Sequence, residues 1–348
     1  MLSKLASKCD LRIEPGRIDI EERPVPEPGP GDVLVRVTSV GVCGSDAHYY
    51  REGRIGEFVV DAPLVLGHEA AGLVVAVGAG VPAGRIGERV SIEPQRPDPG
   101  TEETRRGDYN LCPHMRFYAT PPVDGALCDY VTIGSHFAHS VPETVSDDAA
   151  ALCEPLSVGI AAVRKARVTA GSRVLISGAG PVGIVTTQVA RAFGAVEIVV
   201  TDLDECRRAA AGTFGATATS DPRTDTVPEG RFDSYIDCSG APAAVGSGIR
   251  AVRPGGTVVL VGSGSESMSL PVQLIQNREL VLTGVFRYAN TWPTALALVE
   301  TGRVDLDSMV TARFPLEKTV DALESDHVPG SIKAVVQVTP GARKESQQ

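Results

Sequence analysis

The segment "GAGPVG", residues 178–183, follows a run of β-branched residues and precedes a helical pattern. In a turn of this kind, Gly178 allows the tight bend, Gly180 lets the backbone approach a pyrophosphate, and Gly183 lets helix and strand pack closely. The N-terminus of the helix then offers unpaired N–H groups to phosphates. The segment therefore predicts a dinucleotide-binding turn, and an ordinary strand-to-helix turn is the alternative.

The rhythm of strand, glycine turn and helix continues beyond this turn. It runs through "VEIVVTD", "ECRRAAAGTFG", "FDSYIDCSG" and "GGTVVLVG". Alternating β and α elements predict a parallel sheet that helices cover on both faces. We therefore expect an α/β fold with a doubly wound parallel sheet of the Rossmann type over residues 156–285.

Asp202 ends the next predicted strand, nineteen residues beyond Gly183. A carboxylate at this place can accept hydrogen bonds from the adenosine ribose of a dinucleotide. A 2′-phosphate would meet like charge there, so the sequence favours NAD over NADP. Arg207 stands against this preference, because a cation near the ribose can partly tolerate NADP.

Residues up to about 150 follow a different pattern. Short β-branched runs such as "DVLVRVTSV", "AAGLVVAVGAG", "GERVSIEP" and "CDYVTI" alternate with Gly and Pro turns. This pattern predicts an all-β, barrel-like domain over residues 1–155. Farther along, "RYANTWPTALALVETG" predicts one amphipathic helix and "KAVVQV" a closing strand, so we expect residues 286–348 to return to the first domain.

The composition excludes several classes of function. A net charge of −10 argues against nucleic-acid binding, which needs a basic stripe to displace counterions from phosphates. Seven cysteines, an odd number scattered over 348 residues, differ from the dense even set of a disulfide scaffold and favour a reducing cytosol. Since no apolar stretch approaches about 18 residues, we expect a cytoplasmic protein that is neither exported nor membrane-spanning.

Four side chains from three separated segments suggest a metal site: Cys43, His68, Glu69 and Glu154. Each of them alone is more often a buried structural residue. Together, thiolate, imidazole and carboxylate are the ligands of zinc, and catalytic zinc uses three protein ligands with one open position. Structural zinc fills all four positions, commonly through Cys-x-x-Cys pairs, and the sequence has no such pair.

These segments carry a resemblance to a known family. "GVCGSDAHYY", "LVLGHEAAG", "GDYNLC", "ATPPVDGALCDYV", "CEPLSVGI", "GAGPVG", "VVTDLD" and "GVFRYANTWP" resemble, in order and spacing, the zinc-dependent medium-chain dehydrogenases. The closest similarity is to the sorbitol (polyol) dehydrogenases, from about residue 20 to 338. The resemblance implies a GroES-like β-barrel catalytic domain beside the Rossmann domain.

The resemblance also implies the roles of the site residues. Cys43, His68 and Glu69 match zinc ligands, and Glu154 matches a carboxylate that touches zinc through water, with Cys153 as its rival. The remaining matches are Asp46, which orients the His68 imidazole, and Ser45 and His48, which form a proton relay. For His48 the alternative is a half-exposed surface histidine, with the proton leaving through water.

Further positions are implied for the two small molecules. The resemblance implies substrate contacts at Tyr50, Phe117, Glu154, Arg287 and Tyr288. It implies NAD contacts at Gly178, Gly180, Val182, Gly183, Asp202, Arg207, Val261, Gly262, Val285, Phe286 and Arg287. The alternative role for Arg287 is a salt bridge that anchors the lobe.

One departure from the family pattern concerns a second zinc. Much of the family holds it on a lobe with four cysteines, whereas the corresponding residues 95–112 keep Cys112 alone. One thiolate cannot hold a tetrahedral structural zinc, so we expect one catalytic zinc per subunit.

The implied reaction is the NAD-dependent oxidation of a secondary hydroxyl of a sugar alcohol to a ketose, through zinc-assisted alkoxide formation and hydride transfer. The alternatives are a dehydrogenase of a cyclitol, butanediol or threonine, a zinc-free reductase, and a non-catalytic nucleotide-binding protein. The expected partners are a small polyol and further copies of the chain, as a tetramer or dimer, with neither nucleic acid nor membrane.

Overall fold

The computed structural model describes residues 6–338. Contacts within the chain divide it into two compact units. Unit 1 contains the described residues up to Glu154 and from Val310 onward, and unit 2 is Pro155–Met309.

Unit 1 is built mainly of strands. Its strands are β1 (Ala6–Glu14), β2 (Arg17–Pro24), β3 (Asp32–Gly41), β4 (Arg54–Ile55), β5 (Phe58–Val59), β6 (Leu64–Val65), β7 (Glu69–Val77), β8 (Arg89–Ile92), β9 (Gln95–Arg96), β10 (Arg116–Phe117), β11 (Tyr130–Gly134), β12 (Ala138–Ser140), β19 (Val310–Pro315) and β20 (Lys333–Gln337). Its helices are α1 (Gly44–Glu52), α2 (Glu102–Arg105), α3 (Asp147–Ala151) and α10 (Thr319–Leu323).

The main sheet of unit 1 has the strand order β12-β8-β7-β3-β20-β19, and β11 also pairs with β3. β3 is a central strand, since it pairs with β7, β11 and β20, and its valines at positions 33, 35 and 37 are fully buried. β20 pairs with β3 in the antiparallel sense, so a strand from late in the chain lies beside one from early in it. β1 lies in a separate small sheet between β2 and β6.

The helix of unit 1 that carries Asp46 was not predicted from the sequence. The first 150 residues carry little helical periodicity, yet Gly44–Glu52 form α1, which ends at Gly53 in the left-handed conformation with φ 76°. The side chain of Asp46 accepts the backbone N–H of Cys43, which satisfies one of the free donors at the start of the helix. The prediction of an all-β domain was therefore incomplete at the segment that carries Cys43.

Unit 2 alternates strands and helices. Its strands are β13 (Arg173–Ser177), β14 (Glu197–Thr201), β15 (Ala218–Ser220), β16 (Phe232–Asp237), β17 (Val252–Leu260) and β18 (Val281–Gly284). Its helices are α4 (Cys153–Lys165, which begins in unit 1), α5 (Pro181–Ala192), α6 (Glu205–Thr213), α7 (Pro242–Ala251), α8 (Val272–Asn277) and α9 (Trp292–Glu300).

The sheet of unit 2 confirms the predicted doubly wound fold. Its strand order is β15-β14-β13-β16-β17-β18, and every neighbouring pair is parallel. The order reverses between β13 and β16, and ligands of such sheets bind outside the carboxyl ends of the strands at this reversal. The glycine turn follows β13, so it lies at this place.

The second boundary between the units differs from the expected one. The sequence placed the return to the first domain at residue 286, whereas unit 2 extends to Met309. Gln188 on α5 explains part of this, because its amide donates to the carbonyl of Asp305 at 3.1 Å and accepts the N–H of the same residue at 2.8 Å. These contacts hold the segment after α9 against unit 2.

Over residues 6–338, no helix is both long and apolar enough to cross a bilayer.

Candidate functional site

Unit 1 brings Cys43, His68 and Glu69 together. The potential ligand atoms of these three side chains all lie within 4.8 Å of one another. Backbone pairing explains the arrangement, because Gly41 at the end of β3 pairs with Glu69 at the start of β7. Cys43 follows two residues later as the residue that caps α1. The first three predicted ligands are thus adjacent in the fold.

Gly41 leaves room for the carboxylate of Glu69. A Cβ atom at this position would overlap Oε2 of Glu69 and press on the side chain of Leu152. The observed position of the Glu69 side chain therefore requires a residue without a side chain at position 41.

Glu69 has one satisfied oxygen and one unsatisfied oxygen. Its Oε1 accepts a hydrogen bond from Nζ of Lys333 at 2.6 Å, and both side chains are buried. Its Oε2 is buried and has no hydrogen-bond partner among residues 6–338. An unsatisfied buried acceptor costs about 1–3 kcal/mol, and a bound cation would remove this cost.

Lys333 keeps its charge in this environment. Burial acts to lower the pKa of Lys333, but the negative charges of Glu69, Cys43 and Glu154 together raise it above its usual value. A buried ammonium paired in this way fixes the orientation of Glu69. The sequence analysis missed this residue, since a lysine that opens the strand "KAVVQV" has no local sign of burial.

Asp46 holds the imidazole of His68. Its carboxylate accepts the N–H groups of Cys43 at 3.0 Å and Gly67 at 2.9 Å, and lies 3.6 Å from Nδ1 of His68. Burial acts to lower the pKa of His68, but Asp46 and Cys43 hold it well above its usual value. The ring of Phe117 lies 5.7 Å from the ring of His68, between centroids. A carboxylate behind a histidine in this way orients metal ligands.

These residues fit a zinc ion. A thiol, an imidazole and a carboxylate form the donor set of catalytic zinc, and three protein ligands leave the fourth position for water or substrate. The unsatisfied Oε2 of Glu69 supports this fit independently of the family resemblance.

Glu154 and Cys153 begin α4 and differ in character. Glu154 is buried and does not belong to the three-residue cluster, although its charge contributes to the raised pKa of Lys333. Cys153 is fully buried, its Sγ lies 3.5 Å from the carbonyl of Ala149, and burial raises its pKa to about 12. Cys153 does not belong to the cluster of Cys43, His68 and Glu69, which argues against it as a ligand.

Three predicted residues lie on α1 beside Cys43. Ser45 is half-buried, and His48 is exposed with its Nδ1 3.3 Å from Oε1 of Glu52. Tyr50 is buried and its hydroxyl donates to the carbonyl of Gly16 at 3.1 Å. These contacts leave the relay and substrate roles of His48 and Tyr50 as predictions.

The glycine turn of unit 2 has the geometry expected of a phosphate site. Gly178 has φ 91°, and a Cβ on Gly183 would overlap the carbonyl oxygen of Gly178. A Cβ on Gly180 would meet no heavy atom of the described chain within 4 Å. Gly180 caps α5, with Pro181 at the first helical position, and no side chain caps the start of this helix. The residues therefore fit a pyrophosphate.

Asp202 is tied to this turn. Its Oδ2 accepts the N–H of Ala179 at 2.7 Å, and its Oδ1 accepts the N–H of Asp204 at 2.9 Å. Arg207 is exposed, and Arg208, which the sequence analysis did not single out, donates from Nη1 to the carbonyl of Asp202 at 2.8 Å.

The other predicted cofactor residues follow β17 and β18 or lie in α5. The N–H groups of Val261 and Gly262 both donate to the carbonyl of Asp237, and Val285 donates to Leu260. Val182 is half-buried near the start of α5. These positions lie at the carboxyl ends of the strands, as the fold requires of cofactor contacts.

The segment after β18 contains three predicted contact residues. The guanidinium of Arg287 lies 4.7 Å from the ring centroid of Phe286, which is exposed. Tyr288 is 1% exposed and its ring lies 5.3 Å from that of Trp292. The substrate roles of Arg287 and Tyr288 stay predictions.

Two family models match the chain. Residues 29–143 match the alcohol dehydrogenase GroES-like domain, and residues 181–301 match the zinc-binding dehydrogenase model. Together with the cluster in unit 1 and the glycine turn in unit 2, they define an oxidoreductase of the zinc-binding dehydrogenase class.

Similarity to individual proteins narrows the class further. The chain is 44% identical over 335 residues to the sorbitol dehydrogenase of Gallus gallus, covering 93% of this chain and 94% of that protein. It is 44% identical over 336 residues to the sorbitol dehydrogenase of Homo sapiens, covering 94% of each. The crystal structure of L-idonate 5-dehydrogenase from Escherichia coli matches with a TM-score of 0.91 at 28% identity, over 96% of this chain and 99% of that chain.

The chain therefore belongs to the zinc-dependent medium-chain dehydrogenases, in the sorbitol dehydrogenase subgroup. The predicted fold class, the GroES-like domain and the cofactors zinc and NAD are confirmed.

Proposed function

We propose that this protein is a polyol dehydrogenase that oxidises a secondary hydroxyl of a sugar alcohol, such as sorbitol or xylitol, to a ketose with NAD. The observation that carries the proposal is the cluster of Cys43, His68 and Glu69 with its unsatisfied carboxylate oxygen. The relatives named sorbitol dehydrogenase support the class of substrate.

Cys43, His68 and Glu69 would hold the zinc, and Glu154 would contact it through water. When bound, zinc supplies a Lewis acid that lowers the pKa of a hydroxyl, and NAD supplies the hydride acceptor. The chain's own contribution is to fix these groups. Asp46 orients His68, and Lys333 orients Glu69 and balances one negative charge of the donor set.

The proton of the substrate hydroxyl needs a way out of the site. We assign this transfer to Ser45 and His48, which lie on α1 two and five residues after Cys43. His48 is exposed, so a proton on its ring can exchange directly with solvent. Direct transfer of the proton to water is the competing route. A pH–rate profile that is the same in His48→Ala as in the unsubstituted protein would favour that route.

Recognition of the polyol would use Tyr50, Phe117, Glu154, Arg287 and Tyr288. Polar groups in this set would pair with successive hydroxyls, and each buried group that a simple alcohol left unpaired would cost about 1–3 kcal/mol. The enzyme should therefore reject short aliphatic alcohols.

For NAD, the glycine turn would hold the pyrophosphate and Asp202 the adenosine ribose, with Arg207 nearby and further contacts from Val182, Val261, Gly262, Val285, Phe286 and Arg287. Asp202 would repel the 2′-phosphate of NADP. We also propose a cytoplasmic location and a homo-oligomer, either tetramer or dimer.

The test measures NADH formation by purified protein with sorbitol, xylitol, ribitol, galactitol, myo-inositol, butanediol and threonine. Each assay is repeated after treatment with a chelator and after zinc is restored. Turnover of an acyclic polyol that is lost with chelator and recovered with zinc is the expected result. Turnover that ignores the chelator, or preference for butanediol, threonine or the cyclitol, would overturn the proposal.

A further inference from the structure

Cys9 and Cys128 face each other across an antiparallel bridge in unit 1. The N–H of Asp10 donates to the carbonyl of Leu127 at 2.9 Å, and the N–H of Asp129 donates to the carbonyl of Lys8 at 2.9 Å. These two bonds flank the cysteines and do not join them, so the cysteines form a non-hydrogen-bonded pair. In such a pair the Cα atoms lie about 4.5 Å apart and the side chains approach closely.

This backbone geometry is compatible with a disulfide. Disulfides span Cα separations of about 4.4–6.8 Å, so a bond between these sulfurs needs no backbone movement. Other contacts keep both sulfurs in place. Sγ of Cys9 lies 3.8 Å from the hydroxyl oxygen of Ser7, and Sγ of Cys128 lies 3.3 Å from the carbonyl oxygen of Tyr130.

The two thiols differ in acidity. A hydrogen bond from the Cys128 thiol lowers the pKa of Cys9, against the opposing effect of burial, and the charge of Arg23 contributes. The same hydrogen bond, together with burial, raises the pKa of Cys128 well above its usual value. Cys9 is therefore the more acidic of the two thiols, and it more readily forms the thiolate, which is the nucleophilic form.

A small oxidant can reach the pair. Both cysteines line a cavity of about 390 Å³. Arg23, Arg96 and Arg116 line the same cavity, together with Asp124, whose Oδ2 lies 2.9 Å from Nη1 of Arg23. Positive charge around a thiol favours its thiolate and its reaction with peroxides. By contrast, Cys153 is fully buried and keeps its proton.

We propose that Cys9 and Cys128 form a redox-active thiol pair that a peroxide converts to an intramolecular disulfide. The Cys9 thiolate attacks one oxygen of hydrogen peroxide, which breaks the O–O bond, gives a sulfenic acid and, with one proton, releases water. The Cys128 sulfur then displaces the hydroxyl from the Cys9 sulfur, and its proton leaves with that hydroxyl as a second water. The two sulfurs lose two electrons together, and the peroxide gains them.

The bond would tie β1 to the segment that enters β11. It would cross-link positions that are far apart in sequence, and such a link restricts the unfolded chain most strongly. The oxidised protein should therefore unfold at a higher temperature than the reduced protein, by several degrees. This inference does not depend on the proposed substrate.

The experiment uses full-length, zinc-loaded protein that has been reduced and freed of reductant. Samples receive one equivalent of hydrogen peroxide, are blocked with N-ethylmaleimide in denaturant, and are digested with trypsin. Cleavage after Lys8 and Arg12 releases Cys9 on a tetrapeptide. We expect this tetrapeptide to be disulfide-linked to the peptide that contains Cys128, with fragmentation excluding Cys153, and the link to be reversed by dithiothreitol.

Cys9→Ser and Cys128→Ser should each lose the link and the rise in Tm, whereas Cys206→Ser, which changes an exposed thiol, should keep both. The mapping of the unsubstituted protein decides the question even if a variant fails to fold. Recovery of Cys9 and Cys128 as maleimide adducts, under conditions that oxidise Cys206, would overturn the proposal. Linkage of Cys9 to any other cysteine would overturn it as well.

Discussion

Lys333 on β20 and Glu69 on β7 form a buried ion pair, with Nζ 2.6 Å from Oε1, while Oε2 of Glu69 has no hydrogen-bond partner in the described chain. The lysine thus occupies one side of the carboxylate and leaves the other side for a metal. The ammonium of Lys333, late in the chain, thus contacts the carboxylate that we propose as a metal ligand, early in the chain.

Lys333→Met should destabilise the zinc-free protein strongly, because it leaves a buried carboxylate uncompensated. Breaking such a pair costs about 3–5 kcal/mol. In the zinc-loaded protein the loss should be smaller, since the metal charge compensates Glu69. Thermal unfolding with and without zinc measures both values, and Lys333→Arg serves as the control that keeps the charge. Equal losses in the two states would contradict a ligand role for Glu69.

Gly41→Ala should lower zinc content while the protein stays folded. The new methyl group would overlap Oε2 of Glu69 and turn the carboxylate away from Cys43 and His68. Gly44→Ala is the matched control, because a Cβ there meets no described heavy atom within 4 Å. Metal analysis and circular dichroism of both variants test this. Full zinc occupancy in Gly41→Ala would show that the glycine serves packing alone.

Two alanine variants should separate phosphate binding from packing in the glycine turn. Gly180→Ala places a methyl group in open space, so it should raise the Kd for NAD about tenfold or more with little change in Tm. Gly183→Ala should instead lower Tm, because its methyl group overlaps the carbonyl of Gly178. Calorimetric NAD titration and thermal scans give both quantities. Unchanged NAD affinity in Gly180→Ala would argue against a pyrophosphate at this turn.

Asp202→Ala should shift the cofactor preference toward NADP. Loss of the carboxylate removes hydrogen bonds to the ribose of NAD and also removes the repulsion of the 2′-phosphate of NADP. The ratio of kcat/KM with NADP to kcat/KM with NAD should therefore rise about 10- to 100-fold. Asp204→Ala is the control, since Asp204 caps α6 without contacting the glycine turn in the described hydrogen bonds. A ratio that stays the same in Asp202→Ala would refute the assignment.

Asp10→Asn should change how stability depends on pH. Burial raises the pKa of Asp10 to about 7, with Glu317 and Asp129 adding to the effect and the Thr319 hydroxyl opposing it. The folded protein keeps this proton, whereas the unfolded chain loses it above about pH 4. The contribution to stability is complete below about pH 4 and is lost as the pH rises to about 7, by up to about 1.4 kcal/mol per pH unit.

Urea unfolding between about pH 5 and 8 would measure this slope. Asp10→Asn should lack this fall in the free energy of unfolding with rising pH and should be the more stable protein at about pH 8. Asp61→Asn, which changes an exposed carboxyl, should behave like the unsubstituted protein. Parallel curves for Asp10→Asn and the original chain would contradict a buried, protonated Asp10.

The dinucleotide-binding strands were predictable because their signals are local. The prediction of a strand in "SRVLISGAG" agrees with β13 at Arg173–Ser177, and the helix after it begins at Pro181 as expected. The helix α1 was not predictable in this way. Its buried residues include Asp46, whose burial depends on backbone donors and on His68, and no apolar stripe marks the segment.

The sequence predicted the three side chains of the candidate metal site, but it did not predict the residues around them. Thiol, imidazole and carboxylate at Cys43, His68 and Glu69 are chemically distinctive wherever the chain places them. The role of Lys333 follows from its hydrogen bond to Glu69, 264 positions away, and no local sequence pattern reveals that contact. The extent of unit 2 was missed for the same reason, because the contact of Gln188 with Asp305 spans 117 positions.

The pairing of β20 with β3 also orders events during synthesis. Cys43, His68 and Glu69 leave the ribosome long before Lys333, which follows Glu69 by 264 residues. At about 5–20 residues per second, this interval is roughly 10 to 50 s. During that time the carboxylate lacks its buried ammonium partner, so in a nascent chain that captured zinc early the metal alone would hold Glu69. The arrival of β20 adds the hydrogen bond from Lys333 to Oε1.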